Sequence, residues 1–323
     1  MDIGLVDVDG HNFPSLPLMK LSAWHKKQGD NVEWAVPFLH YDKVYVSRVF
    51  GDEYTQTDDI PWNADEVIYG GTGYAITVEN GKEVYRKEID KDLPYEVEHI
   101  YPDYDLYPEL TADRAYGFLT RGCPNNCSFC IVSQKEGRVS RKVADLTEWW
   151  GGQKHIELMD ANILACKDRM ELLEQLADSK AEVNFAQGID ARFINEEVAK
   201  MFLHIKTELW HFAFDFMKNE KAIVNGLRVF KEITKCNKSK SIVYMLTNYD
   251  TTFQEDWYRV RTIRDLGYMP DVRIYRKSVA PKFLTDLQRW ANNRFLFKSC
   301  DFPDYEARGK TMREWYPEVF KEG

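Results

Sequence analysis

The sequence predicts an α/β protein in which a small open α/β domain precedes a partial (β/α)6, TIM-like barrel. Two observations support this fold class. The first 40 residues show a strand, helix, strand pattern, and apolar segments then recur about every 30 residues through the later chain with helical patterns between them. Strands that alternate with helices at this spacing form parallel sheets, because a parallel connection needs a long crossover.

The small α/β domain is predicted over residues 1–95. An apolar run at residues 3–7 indicates a first strand. Apolar residues then recur at helical spacing up to Gly29, a residue type that commonly ends helices. Further short strands of this domain are predicted at residues 32–38, 43–47 and 67–69.

A linker is predicted over residues 96–114, which are rich in Tyr, Pro and Asp and show no periodicity. The barrel follows over residues 115–285, and residues 286–323 form a C-terminal extension. One helix of the barrel is predicted to begin at Thr252, because Glu255 completes a capping box with it. The six barrel strands are predicted near residues 116–120, 155–159, 183–187, 209–214, 241–246 and 271–275.

Composition excludes several classes of function. The 323 residues carry a formal net charge of -9 and a pI near 5.4, which disfavours a broad nucleic-acid surface and favours a small-molecule substrate. The chain has no run of 18 apolar residues and no basic N-terminal segment, so we expect a cytoplasmic protein without a membrane partner. Three dispersed thiols, Cys166, Cys236 and Cys300, are typical of reduced core cysteines.

The most informative segment holds Cys123, Cys127 and Cys130 within eight residues. Three thiols at this spacing can form one disulfide with a cysteine left over, bind zinc with a remote fourth ligand, or bind three corners of an iron–sulfur cube. Zinc loops usually pair two Cys-x2-Cys elements, and the chain has no second pair. The spacing therefore favours the iron–sulfur cluster.

This segment, Cys-x3-Cys-x2-Cys with Phe129 directly before the last cysteine, resembles the cluster loop of the radical S-adenosylmethionine (SAM) superfamily. The resemblance implies a [4Fe-4S] cluster held by the three cysteines, with S-adenosyl-L-methionine bound to the fourth iron. It also implies a partial (β/α)6 barrel with the cluster loop after its first strand, which is where Cys123 falls.

The N-terminal domain resembles the flavodoxin-like, cobalamin-binding-type domain that some radical SAM enzymes carry. The matching feature is a strand that ends in Gly70-Gly71. In the cobalt-ligating pattern a His lies two residues after an Asp, with a Gly three residues further on. Asp9-Gly10-His11 lacks that Gly, so we expect a cobalamin-like fold without cobalamin.

Candidate site residues lie at the carboxyl ends of the predicted barrel strands, because active sites of parallel barrels form there. Any single Asp at such a position is more often a helix cap, but polar residues follow five of the six strands. The residues after the second to sixth strands are Asp160, Asn162, Gln187, Asp190, Arg192, Asp215, Asn248, Asp250 and Arg276.

The family resemblance implies roles for some of these residues. Asp160 is the candidate for the SAM amino group, although the usual Gly-Gly-Glu is replaced here. Gln187 and Asp215 correspond to ribose-binding residues, and Phe129 to the aromatic residue beside the adenine. Arg192 could bind the SAM carboxylate; the alternative for Arg192 is an ion pair with a neighbouring acidic residue, Asp190 or Glu196. The residues predicted on the substrate side are Asp9, His11, Asn12, Asn162, Asn248, Asp250 and Arg276.

The whole chain resembles the clostridial queuine lyases, in its domain order and in phrases such as the one ending at Arg192, Phe-Ala-Gln-Gly-Ile-Asp-Ala-Arg. That resemblance implies cleavage of queuine to the 7-deazaguanine base preQ1, with a flavodoxin or ferredoxin as the electron donor. Two alternatives stay open. One is a radical SAM enzyme that modifies tRNA or another macromolecule, as methylthiolases and methylases do. The other is an iron–sulfur electron carrier that is not an enzyme.

Overall fold

The computed structural model describes residues 1–10, 12–51, 54–55, 61–79 and 82–320. The chain divides into two compact units, Met1–Glu182 and Val183–Gly323. The predicted linker lies within the first unit, so this division does not test the predicted domain boundaries, which stay predictions.

A four-stranded parallel sheet opens the first unit, with the spatial order β2-β1-β3-β4. Ile3 and Leu5 of the central strand pack against Leu18 and Leu21 of the first helix, which buries one face of the sheet. That helix ends at Gly29, whose φ of 85° supplies the left-handed cap that the sequence predicts. The elements are β1 (Asp2–Asp7), α1 (Leu16–Gln28), β2 (Asn31–Trp34), β3 (Tyr41–Ser47) and β4 (Ala64–Gly70).

The rest of the first unit contains the start of the predicted barrel. Two of its strands, β7 and β10, pair in parallel, with Arg114 opposite His155 and Gly117 opposite Leu158. A two-residue strand, β8, follows β7 directly and pairs antiparallel with β9. The elements are β5 (Ile76–Glu79), β6 (Lys82–Tyr85), α2 (Tyr95–Glu98), α3 (Pro108–Thr111), β7 (Arg114–Gly117), β8 (Thr120–Arg121), α4 (Val132–Lys135), β9 (Arg141–Lys142), β10 (His155–Leu158) and α5 (Arg169–Ser179).

The second unit is built on a three-stranded parallel sheet with the order β12-β13-β14. Alternate side chains along β12 and β13, such as Phe212 and Val243, are buried and those between them are half-buried; Val272 of β14 is also fully buried. Helix α8 begins with the Thr252–Glu255 capping box, as predicted. The elements are β11 (Glu182–Phe185), which begins at the unit boundary, α6 (Glu196–Phe202), β12 (Trp210–Ala213), α7 (Glu220–Thr234), β13 (Ser241–Thr247), α8 (Phe253–Asp265), β14 (Met269–Ile274), α9 (Lys282–Asn292), α10 (Arg294–Ser299), β15 (Glu306–Ala307), β16 (Lys310–Thr311) and α11 (Met312–Trp315).

Parallel strands with intervening helices confirm the predicted α/β class. All six predicted barrel strands are present near their predicted positions, while their closure into a partial barrel stays a prediction. Within the part of the chain that the structure describes, no helix has both the length and the apolar character needed to cross a membrane.

Candidate cluster loop and cofactor site

The three clustered cysteines lie on the loop between β8 and α4. Cys123 is buried, and Cys127 and Cys130 are half-buried. The Cys130 amide donates a hydrogen bond of 3.0 Å to the Cys127 carbonyl oxygen, which closes the second half of the loop into a tight turn. No disulfide joins any two of the three in the structure.

The entrance to this loop is fixed by Glu136. One of its carboxylate oxygens accepts a hydrogen bond from Arg121 at 2.7 Å, and the other accepts one from the Gly122 amide at 2.9 Å. The Cys123 amide donates to the Gly137 carbonyl oxygen at 3.1 Å. Gly122 has a φ of 92°, and a Cβ there would lie 2.2 Å from the Val139 carbonyl oxygen. Only glycine fits this position, directly before the first cysteine.

Asp160 holds the strand that leads into the loop. It follows β10 and is 4% exposed. Its Oδ1 accepts a hydrogen bond from the Leu119 amide at 2.8 Å, and its Oδ2 accepts bonds from the Thr120 amide at 2.8 Å and the Thr120 hydroxyl at 2.6 Å. Burial raises the pKa of Asp160 to about 7, although these bonds and Arg121 act to lower it. The contact of Asp160 with the SAM amino group stays a prediction.

Asn162 contacts the first cysteine of the loop. Its Nδ2 lies 3.7 Å from the Cys123 Sγ, and its Oδ1 accepts a hydrogen bond from the Ala165 amide at 3.2 Å. Its backbone oxygen accepts a bond of 2.8 Å from the Ser140 hydroxyl. The structure therefore places Asn162, predicted on the substrate side, against a cysteine sulfur.

The thiol loop fits an iron–sulfur cluster by its donor chemistry, since reduced thiols on one short loop are the usual ligands of such clusters. Among the residues that the structure describes, no three His, Cys, Asp or Glu side chains are grouped to hold a single metal ion. A cube binds one thiolate per iron, so its thiolates lie further apart than the ligands of a single ion. The lack of such a group among the described residues therefore has no bearing on whether the loop binds a cluster.

Two of the N-terminal candidates, Asp9 and Asn12, follow the carboxyl end of β1. Asp9 is buried, and its carboxylate accepts hydrogen bonds from the Val49 amide at 2.5 Å and from the Thr55 hydroxyl at 2.6 Å. Asn12 is exposed, and His11 lies outside the described residues. Asp9 thus contacts the chain itself, and a substrate role for these three residues stays a prediction.

In the second unit, Arg192 forms a bidentate ion pair with Asp190. Its Nε and Nη2 lie 2.8 and 2.6 Å from the two carboxylate oxygens. This is the alternative that the sequence left open for Arg192. Gln187 is exposed, and Asp215 accepts a bond of 2.9 Å from the Leu246 amide, with a pKa raised by burial. The predicted SAM contacts of Gln187, Arg192 and Asp215, like that of the half-buried Phe129 in the first unit, stay predictions.

The pairing of β13 with β14 brings three substrate-side candidates to one edge of the sheet. Asn248, Asp250 and Arg276 all follow these strands, and all three have positive φ, of 61°, 53° and 46°. The Asn248 Nδ2 donates a bond of 2.8 Å to the Tyr275 carbonyl oxygen. Non-glycine residues in this conformation are often found at functional sites.

Sequence reasoning missed a buried ion pair at the same edge. Arg259 of α8 is fully buried and donates hydrogen bonds to the carbonyl oxygens of Phe214, Asp215 and Leu246, at 2.7, 2.9 and 2.9 Å. It also pairs with Asp256, one turn earlier on the same helix. The available signal was the helical spacing, which places both charges on the face that carries the buried Val260 and Ile263.

A second missed feature is a ring stack on the half-buried face of the sheet. His211 of β12 and Tyr244 of β13 have ring centroids 5.2 Å apart and planes 9° apart. The Nδ1 of His211 is buried without a hydrogen-bond partner among the described residues, and burial lowers the pKa of this imidazole. No periodic pattern in the chain marks this pair.

Neither a family model nor a curated protein matches this sequence. Among solved structures, the fold is similar to "radical S-adenosylmethionine methyltransferase, TsrM, from Kitasatospora setae with cobalamin and [4Fe-4S] cluster bound", with a TM-score of 0.59 and 11% identity. The match covers 84% of this chain and 74% of that one. At this identity the similarity concerns the fold, and it shows that the chain shares the fold of a radical SAM enzyme.

Proposed function

We propose that this protein is a radical SAM enzyme whose Cys123, Cys127 and Cys130 bind a [4Fe-4S] cluster. The observation that carries the proposal is the loop itself, with three clustered cysteines directly after a glycine at which a Cβ would clash with the Val139 carbonyl oxygen. The likeness in fold to TsrM supports it, because TsrM is a radical SAM methyltransferase with a bound [4Fe-4S] cluster.

Cys123, Cys127 and Cys130 would hold the cluster, which when bound and reduced would supply the single electron that cleaves the S–C5′ bond of SAM to methionine and a 5′-deoxyadenosyl radical able to take a hydrogen atom from the substrate. The electron comes from a protein donor of the flavodoxin or ferredoxin type. In this proposal Phe129 lies beside the adenine and Asp160 binds the methionine end of SAM.

For the substrate we propose a small molecule of the 7-deazaguanine class, which makes the enzyme a queuine lyase that releases preQ1. The net charge of -9 supports a small-molecule substrate over a nucleic acid. Asp250 and Asn248 at the carboxyl ends of the strands support a base ligand, since a carboxylate accepts two N–H groups of a guanine-like ring.

Methyl transfer is the second candidate, and the TsrM likeness favours it. The match covers 84% of the 323 residues, whereas residues 96–323 make up only 228 of them. The match therefore includes some of the predicted N-terminal domain. That domain contains a four-stranded parallel sheet, and its sequence resembles the cobalamin-binding-type domain of some radical SAM enzymes. Added cobalamin that binds, detected by its visible absorbance, together with a methylated product would establish this candidate over the lyase.

The first experiment tests the class. The protein is reconstituted anaerobically with iron and sulfide, reduced with dithionite and incubated with SAM. We expect about four irons per chain, an electron paramagnetic resonance (EPR) signal that changes on addition of SAM, and release of 5′-deoxyadenosine. Cys127→Ala should abolish all three, while Cys300→Ala, at a similarly half-buried thiol, should leave them intact. A cluster that leaves SAM uncleaved would instead support the electron-carrier alternative.

The second experiment tests the substrate. Queuine is added under conditions in which SAM is cleaved, and the products are analysed by mass spectrometry. Release of preQ1 is the expected result. Continued cleavage of SAM without any preQ1 would exclude the lyase while leaving the radical SAM class in place.

A further inference from the structure

We infer that Asn162 is a positioning residue that raises the reduction potential of the cluster, by donating a hydrogen bond from its side-chain amide to the Cys123 sulfur. The inference rests on the proposed function, because it requires a cluster on the cysteine loop. It changes the role of Asn162 from a substrate contact to a partner of a cluster ligand.

The orientation of the Asn162 amide is fixed by its two ends. The Oδ1 caps the short turn that follows by accepting a hydrogen bond from the Ala165 amide at 3.2 Å. Only an oxygen can fill that position, so the Nδ2 must be the end that lies 3.7 Å from the Cys123 Sγ. A flipped amide would lose both contacts and place an oxygen against the sulfur.

The backbone on both sides of this contact is fixed as well. The Ser140 hydroxyl donates to the Asn162 backbone oxygen at 2.8 Å. Two residues before Asn162, the Asp160 carboxylate binds the amides of Leu119 and Thr120, which lead into the cysteine loop. The segment after β10 therefore contacts the cysteine loop at two places, and the bond from the Ala165 amide to Oδ1 is the one that orients the side-chain amide.

Burial makes this contact electrostatically important. Asn162 is 3% exposed and Cys123 is 9% exposed, so little water competes for the sulfur. In such surroundings an N–H dipole aimed at a thiolate interacts more strongly than it does in water. Cys127 and Cys130 are half-buried, which makes Cys123 the thiol of the loop most shielded from solvent.

The sign of the effect follows from charge. Addition of one electron makes the cluster and its thiolates more negative, and an N–H donor stabilises the more negative state. The hydrogen bond therefore favours the reduced cluster, and its removal should make the reduction potential more negative. We expect about a tenfold change in the equilibrium constant of reduction, which for one electron corresponds to about 59 mV.

The test compares three variants by EPR-monitored redox titration of the reconstituted cluster, without SAM. Asn162→Ala removes the donor together with the cap. Asn162→Asp keeps the shape and the cap but replaces the N–H with a carboxylate oxygen, so it should shift the potential further in the negative direction. Ser140→Ala is the matched control, because it removes a bond to the backbone of Asn162 and leaves the side-chain amide in place.

For Asn162→Ala we expect a more negative reduction potential, equivalent to an equilibrium constant of reduction about tenfold lower. The decrease should be larger for Asn162→Asp and much smaller for Ser140→Ala. An unchanged potential in Asn162→Ala would overturn the inference, because the donor would then be absent without effect. So would loss of the cluster from both Asn162 variants while Ser140→Ala retains it, since Asn162 would then be needed for assembly. If the unmodified protein binds no cluster, the proposed function fails instead, and the two failures are distinguishable.

Discussion

Replacement of Gly122 by alanine should disrupt the cysteine loop far more than the same change at Gly152. Both glycines have strongly positive φ, 92° and 101°, so both variants carry the conformational cost of about 1–3 kcal/mol. A Cβ at Gly152 meets nothing within 4 Å, whereas a Cβ at Gly122 lies 2.2 Å from the Val139 carbonyl oxygen. Replacing glycine by alanine also lowers the conformational entropy of the unfolded chain, which favours folding equally in both variants and so cancels in the comparison.

The magnitude follows from the displacement that the new Cβ requires. Real Cβ atoms essentially never come within 3.0 Å of such an atom, so the Val139 carbonyl must move by at least 0.8 Å (3.0 minus 2.2). Overpacking of this kind costs about 1–3 kcal/mol. Movement of this segment also strains the bond from the Cys123 amide to the Gly137 oxygen, worth about 0.5–1.5 kcal/mol. Gly122→Ala should therefore lose about 2–4 kcal/mol more than Gly152→Ala.

Two measurements check this difference. Urea unfolding gives the stability of each apo variant from its midpoint, provided that the slope is unchanged. Iron content after reconstitution reports whether the loop still binds a cluster, and Gly122→Ala should fall well below Gly152→Ala. Equal losses of stability and equal iron contents in the two variants would refute the steric argument and show that the loop adapts to a side chain.

Three further predictions concern single residues. Arg259→Ala should destabilise the protein by about 3–5 kcal/mol in urea unfolding, because it leaves the Asp256 carboxylate buried without its partner. The exposed Arg261→Ala should cost far less, and similar losses would contradict the prediction. Burial lowers the pKa of His211 in the folded state below its ordinary value of 6.5. The stability that depends on neutral His211 is therefore fully present above pH 6.5 and is lost as the pH falls through the pKa of the folded state. Unfolding midpoints between pH 7.5 and pH 5 should consequently fall more steeply for the unmodified protein than for His211→Gln; parallel curves would contradict this. Glu136→Ala removes the acceptor of the Gly122 amide, so this variant should retain less iron after gel filtration than the unmodified protein does. Equal retention would show that this acceptor is dispensable.

The strands and helix ends were predictable because local patterns determine them. The apolar run near residues 241–246 is the strand Ser241–Thr247, and the helix predicted to begin at Thr252 begins there with both capping-box bonds present. Gly29 ends the first helix in the left-handed conformation, as its position after an apolar period indicates. Periodicity and capping act over a few residues, so one sequence contains the whole signal.

The partners of the polar site residues could not be predicted in the same way. Asp160 contacts the backbone of Thr120, which lies 40 residues away in the sequence, and no local pattern encodes that contact. Asn162 was expected on the substrate side for the same reason, since its position after a strand was visible but the nearby Cys123 sulfur was not. Arg192 is the exception. Its partner Asp190 is two residues away, and the sequence did suggest that pair.

In the parallel sheet with the order β2-β1-β3-β4, β2 lies on one side of β1 and β3 on the other, so the topological switch point falls between β1 and β3. Sheets of this kind bind phosphate-bearing ligands in the crevice outside such a point. At that edge the backbone amides of Val49 and Phe50 point toward one Asp9 carboxylate oxygen, at 2.5 and 3.4 Å. The Asp9 carboxylate thus occupies two backbone N–H donors that could otherwise bind the anionic group of a ligand. Any nucleotide or phosphate ester that enters this crevice must first displace an aspartate, and its affinity will be lower by the free energy of that exchange.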